Sequence, residues 1–550
     1  MTQLASIARY WHTLRHLKPV QFHGRLWFRL RRPRADLRTA PALRRPADGW
    51  QAPARRAASM AGARQFRFLN EEASLDGGWD DSSRARLWLY NLHYFDDLNA
   101  EGAPARDEWH QALMDDWIRN HPPGGGTGWE PYPASLRIVN WIKRHLDGRP
   151  LTPAQRDSLA VQVRWLSQRM EWHLLGNHLF ANAKALVCAG SLFEGAEADR
   201  WLAKGLAVIA EQLPEQVLAD GGNFERSPMY HAIFLEDVLD LANVAQAFRG
   251  RIPAAVVDEW RATAARMAGW LPLLCHPDGE IALFNDAAIG IAPTPTALRD
   301  YALRLGIAPP APAPSTTSSP TLTALRESGY IRIEDAQAVA LLDVAPVGPD
   351  YLPGHAHADT LSFELSVFGQ RVVVNCGTSC YGLGEQRLRE RGTGAHSTLV
   401  VDGQDSSEVW GGFRVARRAR PFDLVMDCED GQAFVGCAHD GYRRLPGRPV
   451  HRREWRLRAG GAQVHDTVSG RFARAEARYH FHPDVRVATE GAGALRLTFA
   501  RDRQIRLHVR RGHLRLEPSS YAAAFGVLRE TTCAVVDVDG DQALVEFEWC

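Results

Sequence analysis

The chain has 550 residues, 45% of them hydrophobic and 23% charged, with a formal net charge of +1. That length accommodates two or three domains with their own cores, and the charge balance argues against a global nucleic-acid binder. No run approaches the roughly 18 apolar residues of a spanning helix. The eight cysteines contain no CxxC pair and are too sparse for a disulfide framework.

Residues 1–85 read as a basic N-terminal arm or peripheral layer, with one amphipathic segment at Val20 to Leu30. Residues 1–70 hold fifteen Arg or Lys against only Asp36 and Asp48. Such a segment is either a surface for an anionic polymer, acidic partner or membrane, or a solvated arm. His12, Arg15, His16 and Lys18 interrupt the N-terminus before an apolar h-region forms. The expectation is a chain with no visible Sec signal, cytoplasmic by default, with the periplasm open to it by another export route or if the N-terminus is incomplete.

Residues 86–307 read as an all-α domain. Apolar residues recur at three- and four-residue spacing over Asp107 to His121, Pro133 to Leu146, Pro153 to Phe193, Ala198 to Leu213, Pro228 to Phe248 and Ala254 to Leu274. Residues 308–320, rich in Pro, Ser and Thr, can neither continue a helix nor pack a core, and mark a linker. Over 321–550 the period becomes two, in many short segments separated by turn residues, which predicts an antiparallel β-sandwich.

Three stretches carry polar residues that this patterning does not ask for. In Gly354-His355-Ala356-His357-Ala358-Asp359, an extended backbone would aim His355, His357 and Asp359 into one space. The hairpin after it, Glu364 to Val367 and Arg371 to Asn375, brings Asn375 beside them, and His396 opens a further strand. Two imidazoles with an amide or carboxylate oxygen form a set suited to zinc. In the helical half, Asn177-His178 interrupts an apolar helix, where it either satisfies a local bond or faces a cleft. Ser227-Pro228 reads as helix cap and first residue, placing Tyr230 and His231 in a first turn whose dipole favours a phenolate.

The motifs Gly176-Asn177-His178, Asn223 to His231, His355 to Phe363 and Ala395 to Gly403, in that order, resemble the heparinase II/III-like family of polysaccharide lyases. The segment Ser406 to Arg414 is similar to members found with bacterial exopolysaccharide or capsule genes. The resemblance implies an incomplete (α/α) toroid followed by an antiparallel β-sandwich, with the substrate cleft between them. It also implies β-elimination on an acidic, uronic-acid-containing polysaccharide. The C5 proton is removed, the C4 oxygen leaves, and the uronate carboxylate must first be neutralised.

By that resemblance Asn177 is the neutraliser, assisted by His178. Tyr230 abstracts or donates the proton through a phenol pKa lowered by positive groups, and His355 is its partner. His357 and His396 match ligands of a structural Zn2+, whose third place, usually an aspartate, holds Asn375, a poorer ligand; Asp359 or Asp402 could substitute. Arg137, Trp129, Tyr132 and Trp141 are candidates to line sugar subsites, with Glu225 and His231 beside them. Two rivals accompany this reading. One is a glycoside hydrolase using Glu225 with Asp359 or Glu364, and the other a noncatalytic glycan-binding or assembly protein.

Overall fold

The computed structural model describes residues 3–310, 319–499 and 503–549. The first 85 residues carry more structure than the one amphipathic segment that periodicity suggests. They form α1 (Gln3–Leu14), α2 (Pro19–Leu30) and a three-stranded antiparallel sheet of Met60–Gly62, Gln65–Phe68 and Glu71–Ser74. The segment touches both later halves of the chain. Phe28 stacks on His173 with ring centroids 4.4 Å apart, while Trp410 Nε1 donates to Thr13 Oγ1 at 3.1 Å.

The helical half contains α3 (Arg86–Tyr94), α4 (Asp107–Asn120), α5 (Pro131–Leu146), α6 (Pro153–Gln168), α7 (Gly176–Leu192), α8 (Gly195–Gln216), α9 (Pro228–Ala247), α10 (Ala254–Trp270) and α11 (Pro295–Arg304). Proline occupies the start of α5, α6, α9 and α11, where its missing N–H has no intrahelical partner to lose. The periodic run from Pro153 to Phe193 is two helices rather than one. Leu175 and Gly176, at φ 63° and 54°, turn the chain through the left-handed region between them. A side chain at Gly176 would run into Leu352, so this elbow presses the start of α7 against the second half of the molecule.

α7 and α9 are buried on nearly every face, as inner helices of a toroid must be. Three residues expected at sugar subsites belong to this core instead. Arg137 is fully buried, its guanidinium 3.9 Å over Trp117 and its Nε donating to Gln162 Oε1 at 2.9 Å. Trp129 packs against Trp117 and Trp165, and Trp141 against Phe95 and Trp117. Aromatic and arginine side chains bury large apolar surface, which here serves helix packing.

Of the 308–320 stretch, residues 311–318 lie outside the described residues. From Thr321 the described chain forms two large antiparallel sheets, of eight and nine strands, with one apolar core between them. Val450–Arg458 shows the inward–outward alternation of a sandwich strand. The Phe363–Val367 and Gln370–Val374 hairpin lies inside the nine-stranded sheet, between Ala338–Asp343 and Ala475–Phe481. The extended run expected from Gly354 does not form, because the strand begins only at Phe363. His355, His357 and Asp359 lie on the loop before it, which turns at Leu361 (φ 64°). The short helix α12 (Glu385–Arg391) clamps that loop, Arg391 donating to the Ala356 carbonyl at 2.8 Å and accepting from the Ala358 amide at 2.9 Å.

Replacing Trp141 by Ala is expected to cost about 3–5 kcal/mol of stability in denaturant titration, the usual range for a buried aromatic. A subsite role would instead weaken carbohydrate binding in a protein of unchanged stability.

Candidate functional site

The site is assembled where the N-terminus of α9 meets the loop preceding the central hairpin. Ser227 caps α9, its Oγ accepting the Tyr230 amide at 3.2 Å, with Pro228 in the first turn. This cap presents Tyr230 to the second half of the molecule. The Tyr230 ring stacks on His355, with centroids 3.8 Å apart and planes 14° from parallel. Its hydroxyl lies 2.9 Å from the hydroxyl of Tyr381. His355 Nδ1 is hydrogen-bonded to the carboxylate of Glu225. With the proton on Nδ1 facing the carboxylate, Nε2 keeps its lone pair for another partner.

Behind these residues sits Asp286, fully buried. Both its carboxylate oxygens pair with Arg387, the Nη2 to Oδ2 distance being 2.7 Å, and Oδ1 also meets His357 Nε2 at 2.7 Å. Its amide donates to the His355 carbonyl at 2.9 Å, and its carbonyl accepts from Ser227 Oγ. Arg387 in turn lies over the Tyr381 ring at 4.8 Å.

Asn177 and His178 open α7 at the same junction, since a Cβ built on Gly176 would lie 3.8 Å from Glu225 Oε1. Asn177 is half-buried, and its side chain makes no hydrogen bond among the described residues. His178 stacks on Tyr132 at 4.4 Å and meets Glu171 Oε1 through Nδ1 at 3.2 Å. Burial opposes its charge, but the Glu171 carboxylate outweighs it and raises the His178 pKa.

Tyr230 departs from the expectation of a lowered phenol pKa. Burial, then Tyr381 and the Asp286 charge, hold it well above the ordinary tyrosine value, and Tyr381 is raised likewise. The pair starts as two neutral phenols. The helix dipole invoked from sequence is a smaller effect than removing the ring from water.

Two further expected contacts are not made to a substrate. Glu225 is 2% exposed and acts on His355, not in the cleft. His231 is buried, accepting the Asn223 amide at Nδ1, facing the Met267 carbonyl at Nε2 and stacking on Trp270 at 4.3 Å. Tyr132, half-buried against His178, remains at the site. Tyr381, Asp286 and Arg387 were not singled out by sequence. The one signal for Tyr381 is its place in the glycine-flanked turn from Gly377 to Gly384.

The expected zinc set is only partly assembled. His357 Nδ1 and His396 Nε2 face each other at 3.3 Å, and burial lowers their pKa values to about 4 and about 3, so both rings are neutral. Asn375 does not complete the set. Its Oδ1 accepts the Ser397 amide at 3.2 Å and its Nδ2 reaches Ser362 Oγ at 3.4 Å. Asp359 receives the Asn285 amide at 2.9 Å, and Asp402 caps the Ala473 and Arg474 amides at 2.7 and 2.9 Å. With no carboxylate supplied, these donors do not fit a buried dication.

A second cluster, Asp80, His93 and His121, brings its donor atoms within 4.8 Å of one another. Trp117 Nε1 donates to His93 Nδ1 at 3.1 Å, so the neutral His93 ring carries its hydrogen on Nε2, the nitrogen a metal would need.

A helical toroid is thus joined to an antiparallel β-sandwich, with Asn177-His178, Tyr230 and His355 gathered at the junction. Residues 105–302 match the heparinase II/III N-terminus model and residues 317–549 the heparinase II/III-like C-terminal model, and the chain belongs to the heparinase II/III-like family. It is 25% identical over 323 residues to a heparin-sulfate lyase of Pedobacter heparinus, covering 53% of this chain and 47% of that protein. It is 31% identical over 117 residues to a heparin-sulfate lyase of Bacteroides stercoris, covering 21% and 17% respectively. The chain therefore spans less than half the length of these curated relatives. Among solved structures, heparinase III superposes with a TM-score of 0.67 at 17% identity over 96% of this chain and 88% of that one. A heparan sulfate lyase of Pedobacter heparinus gives 0.58 at 19% over 88% and 81%.

Dialysis against a chelator is expected to leave the melting temperature of the wild-type protein unchanged, with substoichiometric zinc by elemental analysis. Asn375→Asp should raise zinc content toward one per chain. Stoichiometric zinc in the wild type, lost together with stability, would contradict the donor geometry.

Proposed function

We propose that the protein is a polysaccharide lyase that cleaves a uronic-acid-containing polymer by β-elimination, in bacterial exopolysaccharide metabolism. The observation that carries the reading is the stack of Tyr230 on His355 at 3.8 Å, with Glu225 on His355 Nδ1 and Tyr381 on the Tyr230 hydroxyl. Such a site has one group able to accept a proton and one able to donate. Family membership and the unpaired Asn177 beside it support the substrate class.

The uronate carboxylate is received by the Asn177 amide and the His178 ring, whose hydrogen bonds and positive charge offset the charge that builds on it when C5 is deprotonated. His355 Nε2 takes the C5 proton, while Glu225 holds the ring and stabilises the imidazolium. The C4–O bond breaks as the C4=C5 double bond forms. Tyr230, neutral at the outset, delivers its proton to the departing oxygen, with Tyr381 hydrogen-bonded to its hydroxyl. A raised phenol pKa suits a proton donor better than a base, which assigns the two roles in this order.

The hydrolase alternative lacks its geometry. Glu225 is bound to His355, while Glu364 is fully buried on His276 and on the Leu283 and Asn375 amides. Asp359 is likewise buried, so no such pair of carboxylates flanks an open cleft.

On alginate, heparan sulfate and acidic bacterial exopolysaccharides, the wild type should generate the ultraviolet absorbance of an unsaturated uronate. Tyr230→Phe and His355→Ala should each lose roughly 10²–10⁴ in kcat, the range for a general acid or base. Chain shortening without that absorbance would defeat the lyase reading. The pH dependence follows from His178: its charge is present at low pH and lost as pH rises through its raised pKa. KM for the uronate polymer should therefore increase across that range, and His178→Gln should remove the dependence.

A further inference from the structure

A cavity of about 180 Å³ lies where the chain leaves α1 and meets the 416–420 and 441–444 segments, lined by Arg15, His16, Arg417, Arg418, Arg420 and Arg444. Its charges are not balanced. Glu408 answers Arg417 at 2.6 Å, Asp350 answers Arg418 and also lies 3.9 Å from Arg420 Nη2, and Asp440 receives the Arg420 backbone amide at 2.8 Å. Five guanidinium groups thus face three carboxylates.

Arg444 is spent on the carbonyls of Ser406, Gly441 and Asp405, while the Asp405 carboxyl turns away to the Thr393 amide at 2.8 Å. His16 adds no charge, because burial and then Arg418 lower its pKa. Its Nε2 accepts from Arg15 Nε at 3.2 Å, and its Nδ1 faces Asp350 Oδ2 at 3.9 Å. The Arg418 side chain is 5% exposed, and its buried Nε has no hydrogen-bond partner among the described residues. A buried donor without an acceptor, inside a cluster of uncompensated cations, weakens the free protein. An anion entering the cavity would answer both deficits, and guanidinium groups match carboxylate and sulfate in paired hydrogen bonds.

Segments flanking the cavity in sequence reach toward Tyr381 through side-chain contacts. Phe413 packs on Tyr381 at 5.3 Å, Arg414 lies 4.8 Å over Trp410, and Trp410 contacts Tyr10 and Thr13 of α1.

We propose that this arginine-lined cavity is an anion-binding subsite that holds a carboxylate or sulfate of the polysaccharide at a distance from Tyr230 and His355. It rests on the lyase reading for its ligand. The sequence's basic N-terminal segment then supplies part of the substrate surface through Arg15.

The test is calorimetric titration of Tyr230→Phe protein, whose slowed cleavage leaves chains largely intact during the titration, with long alginate and heparan sulfate oligomers. It is compared with the same protein carrying Arg15→Ala and Arg420→Ala, both exposed positions. Loss of about tenfold in affinity, a shallower salt dependence and an unchanged melting temperature are expected, since removing two charges reduces screened attraction without touching the core. Affinity equal within about twofold, or no binding of any oligomer, overturns the subsite. Sodium sulfate at matched ionic strength is the second arm: if it stabilises only the protein with both arginines while oligomer affinity is unaffected, the cavity takes a free anion and the subsite is likewise overturned. Arginine-dependent oligomer binding without any unsaturated product from the wild type would sink the lyase reading and leave the subsite standing.

Discussion

The buried carboxylate of Asp286 is the constraint on which the site depends. A charge removed from water is costly unless it is fully paired, and Asp286 meets both Arg387 nitrogens and the His357 ring. Those partners come from α12 and from the loop before the central hairpin. Its own backbone holds the His355 carbonyl and the Ser227 cap of α9. One residue thus ties together the elements that carry Tyr230, His355 and, through Arg387, Tyr381. Removing it would leave Arg387 as an unpaired buried cation beside two aromatic rings, a larger penalty than the pair's net contribution.

The same burial that makes this network demanding sets the chemistry beside it. Burial keeps the phenols of Tyr230 and Tyr381 protonated, while Glu171 raises the His178 pKa. The two groups are set by different causes: dehydration keeps the phenols protonated, whereas at His178 the Glu171 carboxylate overcomes dehydration. The residues that differ in role differ little in exposure.

Much of the architecture was legible in the sequence because it rests on local patterns. Three- and four-residue spacing marked the helical half, period-two segments marked the sandwich, and Ser227-Pro228 announced the cap that positions Tyr230. The motif order brought Asn177, His178, Tyr230 and His355 into one reading, and the structure gathers all four at one junction. What local pattern could not show was direction. Trp129, Trp141 and Arg137 have the composition of a sugar platform but face the toroid core, which only the packing of α4, α5 and α6 decides. The alternation of His355, His357 and Asp359 suggested one shared face. The loop instead gives its carbonyls and amides to Asp286 and Arg391, and sends the three side chains to Glu225, Asp286 and Asn285. Tyr381 and Asp286, far from the other site residues in sequence, are joined to them only by tertiary contact.

The elbow at Leu175 and Gly176 carries a consequence for motion. Because Gly176 lies directly against Leu352, the start of α7 and the loop leading to His355 form one close-packed plate. Asn177 and His178, proposed to receive the uronate, stand on one side of that plate, and His355, the proposed proton acceptor, on the other. Parting of the two sides would release a bound chain and disarm the chemistry in the same movement, whereas closure would restore both.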